Sequence, residues 1–258
     1  MTELLPHERI GTAIDQAHAS GSVGLVPFIT AGYPQKDRFI ETLRKIASVS
    51  DVVEIGVPFS DPLADGVTIQ RASRDAIEHG VSLRWILDQL AEAGPIGAPL
   101  VLMSYLNPLY VYGYEQLAAD SARAGVCGFI VPDLPLDEAD ELRGPLEAEG
   151  LGMIQLVTPT TPPERMQRLC EESRGFIYAV TMTGITGGAS GLPKEVPAYL
   201  DRVRAHAEIP VCAGFGVREA SQVRMLKQHA DGVIVGSALV EQLEQGNDPQ
   251  DFLRALKK

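Results

Sequence analysis

Eight short apolar runs recur along the chain, most of them followed by a longer stretch with helical periodicity, and this alternation constrains the fold most. The runs are apolar at consecutive positions rather than at alternate ones, which is typical of strands covered on both faces in a parallel sheet. The predicted strands are Gly24–Thr30, Val52–Gly56, Pro99–Met103, Gly128–Val131, Met153–Val157, Phe176–Val180, Pro210–Ala213 and Gly232–Val235.

The stretches between the runs carry apolar residues at the spacing of amphipathic helices. They are Arg38–Ser48, Thr68–His79, Ser82–Ala93, Tyr114–Ala124, Asp137–Glu149, Pro163–Glu172, Glu195–Ala207 and Arg218–His229. Eight strands in 258 residues predict an α/β fold, a (β/α)8 TIM barrel that forms a single domain over 1–258. The second connection holds two helices, so we expect an elaborated second βα unit. A doubly wound open sheet is the alternative, but it usually has fewer strands at this length.

Composition excludes several classes of partner. The net charge is −12 and no cluster of Lys or Arg is present, so neither nucleic acid nor an anionic membrane surface is an expected partner. No apolar run is long enough to span a bilayer, and the first residues lack the pattern of a signal peptide. Cys127, Cys170 and Cys212 lie far apart in apolar stretches, which favours buried thiols in a reducing compartment. We therefore expect a cytoplasmic protein.

Active sites of such barrels form where the strands end, and one strand carries an unusual residue there. Glu54 interrupts an otherwise apolar run. Burial raises the pKa of a carboxyl group and so allows it to give and take a proton near neutral pH. Glu54 is the first candidate for acid–base chemistry, the alternative being a buried glutamate paired with an arginine or with backbone amides.

Two aspartates, Asp61 and Asp65, follow in a loop that contains Pro58, Pro62 and Gly66. Aspartates in loops often cap helices or form turns, so spacing alone assigns neither of them a chemical role. The loop is equally compatible with a lid over the site and with a docking surface.

Glycine-rich segments at the ends of three strands predict a phosphate site. They are Ala213–Gly216, Gly236–Ala238 and Thr183–Gly188. Glycine lets the backbone approach an anion closely, and the loops after strands seven and eight of such barrels commonly bind phosphate beside a short helix. A small phosphorylated substrate is therefore expected.

The residues that are absent from the strands narrow the reaction. None of the six lysines lies in a predicted strand, which disfavours a Schiff-base mechanism. The five histidines form no cluster with carboxylates at metal-ligand spacing, so no metal site is predicted. What remains is acid–base chemistry by carboxyl groups on a phosphorylated substrate.

The segment that contains the carboxylates also resembles a known family. Val53-Glu54-Ile55-Gly56-Val57-Pro58-Phe59-Ser60-Asp61-Pro62-Leu63-Ala64-Asp65-Gly66, followed by Thr68-Ile69-Gln70, is similar to the tryptophan synthase α subunit. Further similar segments are 27–32, 105–108 and 133–135, and the resemblance runs from about Ile10 to the C-terminus. It implies the cleavage of indole-3-glycerol phosphate into indole and glyceraldehyde 3-phosphate.

The resemblance implies a role for individual residues. Glu54 matches the general acid–base, and Asp65 matches the carboxylate that accepts the indole N–H. Phosphate-binding positions correspond to Gly187, Gly216, Gly236 and Ser237. Positions in the indole and substrate pocket correspond to Phe28, Tyr105, Tyr178, Thr186 and Phe215, and Asn107 and Asp133 lie at further matching loop positions. Thr181-Met182 stands where family members often have Ser-Arg, so the closing contacts of that loop differ.

The resemblance also implies a partner. An α subunit passes indole to a β subunit in an α2β2 heterotetramer, with the Asp61 loop at the interface. No cofactor is expected in this chain, and pyridoxal phosphate is expected in the partner. Three other readings stay open: a free-standing lyase of the same chemistry, a non-catalytic regulatory barrel subunit, and a phosphate-binding isomerase of the same fold.

Overall fold

Eight parallel strands close into a barrel in which each strand pairs with the next and β8 pairs with β1. The computed structural model describes residues 4–181, 194–214 and 216–258. The strands are β1 Gly24–Thr30, β2 Val53–Gly56, β3 Leu100–Met103, β4 Val126–Ile130, β5 Gly152–Val157, β6 Ile177–Val180, β7 Val211–Gly214 and β8 Gly232–Val235. The predicted TIM barrel is confirmed, and every predicted strand overlaps an observed one.

Helices surround the barrel. They are α1 Pro6–Ala19, α2 Phe39–Ala47, α3 Val67–Glu78, α4 Leu83–Ala93, α5 Leu106–Tyr112, α6 Tyr114–Arg123, α7 Asp140–Ala148, α8 Pro163–Glu172, α9 Val196–His206, α10 Ala220–Leu226, α11 Ser237–Glu244 and α12 Pro249–Leu256. The elaborated second unit is confirmed, because α3 and α4 both lie between β2 and β3. The helix predicted at Asp137–Glu149 is divided: a 3-10 turn spans Leu136–Glu138, and α7 starts after it.

Side chains alternate between two apolar layers along each strand. On β1, Leu25 and Ile29 pack with the surrounding helices, whereas Val26 belongs to the cluster that fills the barrel. No predicted helix corresponds to α1, whose Ile10 and Ile14 join the interior cluster. Because these two side chains lie against glycines at the starts of strands, α1 closes the N-terminal end of the barrel. The opposite end is left for the site.

Candidate active site

Glu54 lies inside the barrel on β2, opposite Phe28 of β1 and Val101 of β3. It is 1% exposed, and neither carboxyl oxygen has a hydrogen-bond partner among the residues that the structure describes. Burial, with a smaller contribution from the charge of Asp65, raises the pKa of Glu54 to about 8. The predicted elevation of this pKa is therefore present, and the side chain is protonated at neutral pH.

Asp65 lies at the end of the loop between β2 and α3, next to Gly66, which caps α3. Its backbone oxygen accepts a hydrogen bond from Gln70 Nε2 at 2.8 Å, which fixes the backbone at the start of the helix. Burial raises the pKa of Asp65 to about 6, although a hydrogen bond from Tyr105 opposes the shift. Asp65 is therefore mostly ionised at neutral pH, where Glu54 holds its proton.

Two aromatic side chains inside the barrel pack directly against the backbone of glycine residues. A Cβ on Gly56 would come within 2.3 Å of the Phe28 ring, and one on Gly214 within 2.4 Å of the Tyr178 ring. Both rings are buried, and burial raises the pKa of Tyr178 well above its usual value, so its phenol stays neutral. Gly214, which belongs to one of the glycine-rich segments predicted to bind phosphate, makes room for the Tyr178 ring.

Tyr105 is buried at the N-terminus of α5 and reaches the loop that carries Asp65. The Ala64 N–H donates to its hydroxyl at 2.9 Å, and the Phe59 ring stacks on its ring with centroids 5.0 Å apart. Asn107, expected in a loop, lies in the first turn of α5, and its side chain is exposed. Asp133 accepts a hydrogen bond from the Leu106 N–H at 2.9 Å and so contacts the same end of α5.

The expected phosphate positions that the structure describes lie at the ends of β7 and β8. Gly236 is the N-cap of α11 and Ser237 is its first residue, so the unpaired amides of the first turn lie there. Phe28 lies 3.6 Å from the position of a Cβ on Gly236, which brings the end of α11 next to the aromatic wall. Gly216 accepts a hydrogen bond from Gln222 Nε2 at 3.1 Å. Thr186, Gly187 and Phe215, like Met182, lie outside the described residues.

The loop after β2 and the helix after β3 present apolar side chains to solvent. Leu63 is 84% exposed and Val67 64%, while Tyr110 and Val111 of α5 are 67% and 76% exposed. Asp61 is exposed on the same loop and accepts a hydrogen bond from the Ser60 hydroxyl. We define Asp61, Leu63, Val67, Tyr110 and Val111 as the rim; its four large apolar side chains are far more exposed than those of the core.

Thr30 is a site feature that the sequence did not indicate. It follows Phe28 by two residues on β1 and so lies on the same face of the strand. The side chain is buried, and its Oγ1 has no hydrogen-bond partner among the described residues. A threonine at the end of a strand is too common a feature to have indicated this from the sequence.

Other features of the described chain bear on the remaining expectations. All three cysteines lie in the described part of the chain, where each is buried and none forms a disulfide. Across 4–181, 194–214 and 216–258, no group of three or more His, Cys, Asp or Glu side chains is placed to hold a metal ion. None of the helices described is both long enough and apolar enough to cross a membrane.

Comparison with known proteins gives one consistent result. The family model of the tryptophan synthase alpha chain matches residues 14–258. The tryptophan synthase alpha chain of Nitratidesulfovibrio vulgaris is 46% identical over 249 residues, covering 96% of this chain and 97% of its relative. The alpha chain of a Roseiflexus species is 42% identical, covering 96% and 99%.

Solved structures agree with the sequence relatives. A Mycobacterium tuberculosis tryptophan synthase structure superposes with a TM-score of 0.88 at 36% identity, covering 99% of this chain and 100% of that one. The tryptophan synthase alpha chain of Legionella pneumophila gives a TM-score of 0.85 at 33% identity, covering 96% and 95%.

Proposed function

The chain belongs to the tryptophan synthase alpha chain family, whose members cleave indole-3-glycerol phosphate and pass indole to a β subunit, and we propose that Glu54 and Asp65 perform the cleavage. One observation carries this proposal. The pKa of Glu54 is about 8 and that of Asp65 about 6, so between these values one carboxyl group holds a proton while the other is ionised. The cleavage needs one group of each kind.

The first step makes the indole ring a leaving group. Protonated Glu54 donates its proton to the ring carbon that bears the glycerol phosphate side chain. Positive charge then develops on the ring nitrogen, and the Asp65 carboxylate stabilises it by accepting the N–H. The low-dielectric surroundings of both groups strengthen this interaction.

The second step breaks the carbon–carbon bond. The Glu54 carboxylate, having given up its proton, takes a proton from the side-chain hydroxyl next to the ring. The oxygen becomes the aldehyde of glyceraldehyde 3-phosphate, and the electrons of the broken bond return to the ring to give indole. Glu54 ends the cycle protonated, as it began, and the steps require no cofactor in this chain.

The remaining site residues hold the substrate in this scheme. We assign the indole pocket to Phe28, Tyr178 and Phe215, with Tyr105 and Thr186 beside the second carboxylate. The phosphate is assigned to Gly187, Gly216, Gly236 and Ser237. The closeness of Phe28 to Gly236, where a Cβ would lie 3.6 Å from the Phe28 side chain, supports this arrangement, because the ring and the phosphate of one substrate have to be bound side by side.

The partner surface is assigned to the rim that includes Asp61. Its four apolar side chains are more than 60% exposed, which a β subunit would cover. We propose an α2β2 heterotetramer in the cytoplasm, where three unpaired thiols remain reduced, with pyridoxal phosphate in the β subunit.

Substitution of the two carboxylates tests the catalytic assignment. Glu54→Gln should lower kcat by about two to four orders of magnitude, the usual contribution of acid–base catalysis, and Asp65→Asn by about two to three orders, the usual effect of losing one group that stabilises developing charge, while substrate still binds. Indole release would be measured beside Glu115→Gln, which changes an exposed carboxylate on α6. If Glu54→Gln retains the turnover of that control, Glu54 is not the acid.

A further inference from the structure

Among the residues that the structure describes, the hydroxyl of Tyr105 interacts with the loop that carries Asp65. As an acceptor it takes the Ala64 N–H at 2.9 Å. It also lies beside the Asp65 side chain, where it lowers the pKa of that carboxyl group and so favours the ionised form. Two successive residues of the loop therefore depend on a single oxygen atom.

The rest of the Tyr105 side chain is equally constrained. The residue is 4% exposed, and the Phe59 ring stacks on it with an interplanar angle of 29°. Phe59 belongs to the same loop, so Tyr105 contacts the loop near its start as well as at its end. One face of the ring is thus covered by protein.

The position of Tyr105 is set from the neighbouring strand connection. Tyr105 is the N-cap of α5, and the next amide, that of Leu106, donates to Asp133 Oδ1 at 2.9 Å. Asp133 follows β4, so a carboxylate from one strand end fixes the helix start that presents Tyr105. A side chain that positions a catalytic residue must itself be held rigidly, and this contact provides such support.

The loop has few other anchors on this side. Leu63 is 84% exposed and Ala64 is exposed as well. Gln70 holds the backbone oxygen of Asp65 but does not contact its carboxylate in the described structure. Of the contacts described for this part of the loop, the Tyr105 hydroxyl is therefore the one that acts on both the Ala64 amide and the Asp65 carboxyl group.

We propose that Tyr105 is a positioning residue that holds the Asp65 carboxylate, ionised and directed into the barrel, at the place where the indole N–H binds. The inference rests on the proposed role of Asp65 and gives Tyr105 a function other than lining the indole pocket. Tyr105 acts through its hydroxyl, and Asp133 acts one step further back by fixing the start of α5.

Tyr105→Phe tests the inference with a matched control on the same helix. Tyr112 ends α5 and donates its hydroxyl to Asp120 at 2.6 Å, away from the site, so Tyr112→Phe removes an equivalent group. Indole release would be assayed with saturating β subunit from pH 5 to 9. We expect Tyr105→Phe to lower kcat by about 10- to 100-fold, the effect of losing a hydrogen bond to a charged group, with KM little changed.

The pH profile separates positioning from packing. The acid limb of the plot of kcat against pH reports the ionisation of Asp65. Removal of the Tyr105 hydroxyl takes away an interaction that favours the ionised form of that carboxyl group. The limb should therefore move to higher pH in Tyr105→Phe, while the basic limb, set by Glu54, stays in place. An acid limb identical to that of Tyr112→Phe would overturn the inference, whatever the change in kcat.

Two further measurements keep the test decisive if Tyr105→Phe is poorly folded. Phe59→Leu removes the ring stack but keeps the hydroxyl, and we expect a smaller shift of the same limb. A ¹³C NMR titration of the aspartate carboxyl groups, without substrate, would compare Phe59→Leu with the wild type. The pKa of Asp65 should be higher in the variant. An unchanged titration, with Glu54→Gln inactive, would refute the role of Tyr105 and leave the proposed function standing.

Discussion

The carboxyl group of Glu54 lies among apolar side chains, and its oxygens have no hydrogen-bond partner in the part of the chain described. In the unfolded chain the same group has a pKa near 4.5, whereas in the folded chain it is about 8. The folded state therefore keeps a proton that the unfolded state releases as pH rises above 4.5. The free energy of unfolding therefore falls as pH rises from about 4.5 to 8. By pH 7 the loss is about 3 kcal/mol.

Glu54→Gln should remove this pH dependence because an amide has no proton to retain. Urea unfolding at pH 5 and pH 8 would measure the free energy of unfolding of both proteins. Relative to the variant, the wild type should lose about 3 kcal/mol between the two values. Asp65 titrates in both proteins, so its contribution cancels. If the free energy of unfolding changes equally with pH in both proteins, the pKa of Glu54 is not raised in the folded chain.

The two carboxylates differ in how far the sequence identified them. Glu54 is a charged residue within an apolar strand, and burial follows from that position alone. Asp65 is one of two aspartates in a proline-rich loop, and next to Asp65 the loop contacts Tyr105, which is 40 residues further along the chain. No local pattern encodes such a contact, so only the family resemblance distinguished Asp65 from Asp61.

Among the elements, α3 and α11 are connected by side chains that join the two halves of the site. Arg71 of α3 donates to both carboxyl oxygens of Glu244 on α11 at 2.7 Å, and Tyr33 donates to the same group at 2.8 Å. Thr68 donates to Glu241 at 3.3 Å. Since α3 begins after Asp65 and α11 begins at the proposed phosphate position, these contacts hold the two helices together and so help to set the distance between Asp65 and that position.

Gly236→Asp tests whether the N-terminus of α11 binds the phosphate. A side chain can be accommodated at this position, because the φ of Gly236 is negative and the atom nearest to a Cβ there is Phe28 Cβ at 3.6 Å. Gly216 is less suitable, because its φ of +82° strains any other residue. We expect the added carboxylate to repel phosphate and raise KM by about 100-fold or more, with Gly236→Ala close to wild type. Calorimetric binding of glyceraldehyde 3-phosphate that is equal in both variants would move the phosphate site elsewhere.

Elements with a continuous apolar or a clear amphipathic pattern were predictable, whereas the helices α1, α5, α11 and α12 were not predicted. Every strand was predicted within two residues of its observed bounds, because a strand buried on both faces has an uninterrupted apolar run. The helix α5 was missed because Asn107, Pro108 and tyrosines are typical of a loop, although proline is tolerated in a first helical turn. The cover of the barrel by α1 depends on contacts with strands far along the chain, which periodicity does not reveal.

At the scale of the molecule, the two ends of the barrel have different roles. The N-terminal end is closed by α1, and the described site residues lie at the other end together with the rim of Asp61, Leu63, Val67, Tyr110 and Val111. The loop between β2 and α3 carries both Asp65 and part of the rim. A partner that binds the rim would therefore contact the same loop that carries Asp65, the second proposed catalytic carboxylate.

This arrangement predicts that partner binding raises the rate of cleavage. Indole release from indole-3-glycerol phosphate would be measured for the chain alone and with increasing amounts of a pyridoxal-phosphate β subunit. We expect slow release alone and a steep rise to saturation with the partner, because covering the loop restricts Asp65 and excludes water from the site. Leu63→Asp should shift the midpoint of this rise to higher β-subunit concentration and leave the rate without partner unchanged, since its side chain is 84% exposed. Equal release with and without the partner would identify a free-standing lyase with the same two carboxylates.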